Sequence, residues 1–180
     1  MTTGTFSPLR YRAFLLILLG SLFSHFGNAI QSVGAAWQLT IMGQPADIIA
    51  LVQSATNLPI MLLALPAGAW ADMFDKRLVM LIAQTGMVAL SVLLALLAFA
   101  DITPPALLIG LTALLACGVA CFNPALAASI GGIVPRTQLA AAIALNILAF
   151  NIARSLGPAI GGGIVAIGGA KAAFAVNALS

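Results

Sequence analysis

Glutamate is absent from this 180-residue chain, and charge of either sign is scarce: four acidic residues, all Asp, and seven Lys or Arg amount to 6% of the sequence, beside a single His. A soluble domain of this length needs a charged shell around its core, and so few charges cannot supply one. An enzyme would need a nucleophile with its base, or a cluster of metal ligands. With one His and no Glu, only a Ser and His pair through His25 remains, as an intramembrane hydrolase. Cys117 and Cys121 stand four apart in an apolar block. That setting suits small packing side chains better than a disulfide or a metal site. No cofactor and no metal is expected. The net charge of +3 is accounted for by orientation in a membrane and gives no support for nucleic-acid binding.

What the chain does have is apolar length. Hydrophobic residues make up 62% of it and its mean hydropathy is +1.15, outside the range of soluble domains. A β-barrel would alternate apolar and polar residues in segments of ~10, whereas these runs are long enough for helices crossing a bilayer. Arg10 and Arg12 precede an apolar run in the manner of a signal peptide. The apolar character continues to about Ile41, however, which favours an uncleaved first helix after a short cytoplasmic N-terminus, residues 1–12.

Gly, Pro and charge divide the rest into spans of about 13–42, 46–70, 77–100, 105–127 and 138–167, with a sixth beginning near Ala172. Pro104 and Pro105 suit the first turn of a helix, where an N–H is not needed. Asn123 and Pro124 are expected to kink or end the fourth span, and 125–134 reads either as a last helical turn or as an interfacial segment. Residues 172–180 number nine where ~20 are needed to cross, so the natural protein is expected to continue.

Arg10, Arg12, Lys76, Arg77 and Arg136 fall at alternate span ends, and Lys171 alone falls at the others. By the positive-inside rule the N-terminus is cytoplasmic, in a plasma (inner) membrane.

Polar residues inside the spans point to a cavity or to hydrogen bonds between helices, and the sequence leaves both open. Ser21, Ser24, His25, Asn28, Gln31, Ser32 and Gln38 fall within an arc of about 140° on the first helix, with Trp37 opposite. Gln53 and Asn57 share a face of the second helix, one turn apart. Pro59 and Pro66 should bend that helix and keep it against protein. His25, Asn28, Gln31, Ser32, Gln53 and Asn57 are the candidate lining of a substrate cavity, and His25 could carry a proton. Arg154 lies near the middle of the fifth span, where insertion costs ~2.5–3.5 kcal/mol. All four Asp lie near span ends. Compensation must therefore come from a freed carbonyl near Pro158, an anionic substrate or a partner outside this sequence. Ala149, Ala153, Gly157 and Gly161 form a small-residue stripe along which another helix can approach closely. With Pro158 breaking the hydrogen-bond ladder, that contact can double as a pivot.

Two motifs carry a resemblance. The segment GAWADMFDKR, 68–77, resembles the loop signature of the major facilitator superfamily. Gly68, Asp72, Lys76 and Arg77 fall on the family's positions, Asp75 replaces its usual second Gly and Met73 its usual Arg. The resemblance implies that this loop latches the cytoplasmic side against the other half, with Asp72 the central acid. Arg154 followed by Gly157, Pro158, Gly161 and Gly162 resembles the Gly-Pro motif of the superfamily's antiporting exporters. Together they resemble its drug and siderophore exporter branch, which includes enterobactin exporters.

The resemblance implies an all-α membrane fold, the N-terminal six-helix half of a twelve-helix transporter. That half would hold a 3+3 inverted repeat, its sixth helix truncated here and the C-terminal six-helix half missing. It implies efflux of a small amphipathic molecule by alternating access around a midplane site, with the lipid bilayer as surroundings. The fourth helix lacks the Arg of many proton-linked drug exporters and the first has no acid. A six-helix channel or an assembly subunit is the alternative.

Overall fold

The computed structural model describes residues 5–180, and of Asp72 the backbone only. After a short turn at Ser7–Arg10, the chain forms α1 (Arg12–Ile41), α2 (Ala46–Met73), α3 (Lys76–Phe99), α4 (Pro105–Ile133) and α5 (Leu139–Leu179). Among the described residues, these five helices are long and apolar enough to cross a membrane. Without water in the bilayer core, backbone amides must bond within the segment, and a helix achieves this alone. Hydroxyls follow the same rule. Thr40, Thr56, Thr85 and Thr112 each donate to the carbonyl four residues back.

The helix ends carry local signals. Asp75 caps α3 by accepting the amide N–H of Arg77 at 2.8 Å, a cap bond of the kind that fixes helix starts. Thus the residue that departs from the superfamily's loop pattern acquires a role of its own. α1 ends with Gly43 at φ 68°, its N–H bonding the Thr40 carbonyl at 3.0 Å and that of Gln44 the Leu39 carbonyl at 3.0 Å. α3 ends the same way with Asp101 at φ 58° in the position usually given to glycine.

α4 runs on through Pro124 to Ile133, beyond the expected end at 127, so 125–134 does not form a separate interfacial segment. α2 likewise runs through Pro59 and Pro66. α5 is broken at Gly169, with φ 69° and ψ −174°. Before the break, Gly157 lies against Phe26 and Ala29, and Gly161 against Ile30 and Val33, so α5 ascends alongside α1. After it the order reverses: Ala170 and Ala173 meet Gly34, and Asn177 meets Gly27. Residues 170–179 therefore run back antiparallel to α1.

Two clusters mark the ends of the bundle. Phe14, Ile130, Val134 and Ala142 join the start of α1, the end of α4 and the start of α5. Leu39, Val52, Leu94, Ala98, Leu108 and Ala170 join the opposite ends. Arg10, Arg12 and Arg136 thus share one end, whereas Lys171 lies at the other and pairs with Asp101 at 2.8 Å. The most extensive packing is between α1 and α5, followed by α2 with α4 and α3 with α4.

Candidate functional site

The α1–α5 contact explains how one wall of the site is held. Ala149, Ala153, Gly157 and Gly161 are buried in a row, and a Cβ added at Gly157 would stand 2.5 Å from the Cβ of Ala29. The small-residue face of α5 is therefore not unpartnered: α1 of the same chain occupies it. Phe150, Arg154 and Pro158 sit on the adjacent stripe of α5, one turn apart, and face a cavity of about 430 Å³. α1 contributes His25, Asn28, Gln31 and Ser32, α2 contributes Gln53, Thr56 and Asn57, and α4 contributes Thr112, Leu115, Ala116 and Val119.

The six polar residues singled out on the first two helices thus come together on one cavity, with Arg154 and Pro158. Their donors are partly spent on their own helices. Asn57 Nδ2 donates to the Gln53 carbonyl at 3.1 Å, Thr56 Oγ1 to Val52 at 2.9 Å and Thr112 Oγ1 to Leu108 at 2.8 Å. The Asn57 side-chain carbonyl remains available to a ligand. His25 stands edge-on to Phe150, ring centres 5.2 Å apart and planes at 83°, a favourable aromatic geometry. Arg154 is exposed in this chain and has no ion-pair partner among the described residues. Among the described residues it is the one charged member of the lining.

Gln31 is more constrained than its companions. It is 3% exposed, and its Oε1 accepts from Asn177 Nδ2 at 2.5 Å, while the same Nδ2 bonds Ser91 Oγ at 3.0 Å. One carboxamide thus ties α1, α3 and the returning segment together behind the cavity wall. Asn177, Ser91, Thr112 and Phe150 escaped the sequence reading. For Asn177 the signal was present, a carboxamide alone in the apolar run 172–179.

The loop residues lie elsewhere. Lys76 and Arg77 are exposed at the start of α3, and Gly68 is half-buried with open space where a Cβ would go. The Asp72 side chain, the expected centre of the latch, lies outside the described residues. Gly162 faces outward with nothing within 4 Å of an added Cβ.

Apolar helices of membrane length enclosing a polar cavity are the features of a multi-pass membrane transporter. The transmembrane secretion effector family, within the major facilitator superfamily, matches residues 3–180, and the chain belongs to it. This is a family of transporters, not of enzymes. A curated relative is the staphyloferrin A transporter of Staphylococcus aureus (strain NCTC 8325 / PS 47), 28% identical over 161 residues, covering 88% of this chain and 40% of that protein. The chain therefore spans about two fifths of that relative's length. No solved structure matches it.

Proposed function

We propose that this chain is the N-terminal half of a secondary exporter that moves a small amphipathic solute, drug-like or siderophore-like, out of the cell by alternating access. The observation that carries the reading is the cavity on which His25, Asn28, Ser32, Gln53, Asn57 and Arg154 converge from three helices. Polar groups at this depth are costly against lipid and belong on a solute path. The relative named as a siderophore transporter supports the solute class.

In this reading α1–α3 and α4 to the returning segment are two inverted three-helix repeats, and a second six-helix half closes the cavity from the far side. The membrane is the plasma (inner) membrane and the basic end of the bundle is cytoplasmic. Gly68, Asp72, Lys76 and Arg77 form the cytoplasmic latch. The α1–α5 pair moves as one body because its backbones touch, and Pro158, set in the cavity wall, marks the contact that serves as its pivot. Gly162, free on its outer face, leaves room for the other half to slide past.

The test is transport by the full-length protein in proteoliposomes, with candidate solutes loaded on one side at a time. Saturable movement toward the face opposite Lys76 and Arg77 is expected, slowed by Asp72→Asn without loss of membrane insertion. Unsaturable, voltage-driven conductance would replace this reading by a channel.

A further inference from the structure

The charge distribution around the cavity narrows the class of solute, on the basis of the reading just given. Among the described residues, Arg154 is the single charged side chain of the lining, and none of the lining is acidic. Among the described side chains no Asp offers a hidden counter-ion: Asp47 opens α2, Asp75 caps α3 and Asp101 follows its end. Asp101 is already engaged by Lys171. The same cavity is lined by carboxamides and hydroxyls, Asn28, Ser32, Gln53 and Asn57, while α4 presents Thr112, Leu115, Ala116 and Val119. A permanent cation held in a low-dielectric site needs an anion, and the planar guanidinium fork matches a carboxylate through two parallel bonds. A single fork in a lining of neutral amides suits one such group with an apolar remainder against α4. A phosphate dianion would call for a second cation, which the described lining does not supply.

We infer that the cavity takes a carboxylate-bearing amphipathic solute, its carboxylate seated on Arg154 and its apolar part on the α4 wall. Arg154 is then a substrate-binding residue, in addition to any part it plays in conformational change.

The experiment uses full-length protein in proteoliposomes and three matched probes, 1-naphthaleneacetate, its uncharged amide and 1-naphthylethylamine. The carboxylate is expected to move saturably and with the lowest KM. Arg154→Gln should raise that KM roughly tenfold to hundredfold while leaving the KM for the amide within about twofold of wild type. Arg154→Lys, which keeps the charge and loses the fork, should fall between. Saturable movement of the amide or the amine in preference to the carboxylate would overturn the inference and leave the transporter standing. So would an Arg154→Gln variant, folded by size-exclusion chromatography, that lowers the rate for all three probes alike. If no probe and no candidate solute moves saturably, the transporter reading fails first and this inference with it.

Discussion

Two concavities among the described residues are built by opposite means. The polar one, about 430 Å³ between α1, α2, α4 and α5, rests on a seam where Gly157 and Gly161 let backbones touch. The other, about 730 Å³, is an apolar groove over α3 and α4, lined by Trp70, Phe74, Met87, Leu90, Leu114 and both Cys. Its tightest glycine, Gly118, faces the flexible Met87 side chain rather than a rigid neighbour. A Cβ added at either glycine would come within 2.5 Å of another carbon. At Gly157 that carbon is the Cβ of Ala29, fixed to its backbone, and at Gly118 it is Met87 Cγ, which a rotamer change removes. The difference teaches that the wall behind the polar residues is stiff, whereas the groove adapts to what fills it.

Substitutions at these two glycines should separate the two regions most clearly. Gly157→Val is expected to have the largest effect, forcing α1 and α5 apart at a cost of about 1–3 kcal/mol or more. It should appear as a large drop in Tm of the full-length protein in detergent and a collapse of transport. Gly118→Ala should lower Tm far less, by the equivalent of under about 1 kcal/mol; an equal loss at the two sites would erase the contrast. Asn177→Leu comes between, because it leaves Gln31 and Ser91 without their donor behind the cavity. Interhelical hydrogen bonds in membranes are worth about 0.6–1.7 kcal/mol, and urea or thermal unfolding reads the change. Gly162→Ala should leave Tm unaltered, since nothing lies within 4 Å, yet slow transport if the outer face of α5 meets a second half. Asp101→Gly should be the mildest. Relief of the left-handed backbone, about 1 kcal/mol, offsets the loss of an exposed ion pair worth about 0–1 kcal/mol, so Tm should barely move.

Much of this was legible from residue order alone, because a bilayer leaves little freedom. Apolar runs of spanning length could only be helices, and the α1 polar arc could only face inward. Four of the seven arc residues, His25, Asn28, Gln31 and Ser32, converge with Gln53 and Asn57 on one cavity, whereas Ser21, Ser24 and Gln38 lie outside its lining. The partner of the Ala149 to Gly161 stripe was not legible, since a row of small residues states that a helix approaches without stating which one. Nor was the run of α4 through Pro124 to Ile133, since a proline in an apolar run can end a helix or be carried within it. The Lys171–Asp101 pair and the Asn177 clamp join residues 70 and 146 positions apart. Only the reversal at Gly169 brings either pair together.

That clamp also sets a clock. Gln31 enters the membrane with α1, but its partner Asn177 is made 146 residues later. At ~5–20 residues per second of synthesis, roughly 7–30 s separate the two. Throughout that interval a carboxamide in the middle of α1 has no final partner. It must be sheltered by the insertion machinery, by water or by a provisional contact. Closing of the polar cavity's rear wall thus waits for Asn177, and the reversal at Gly169 is the step that permits it.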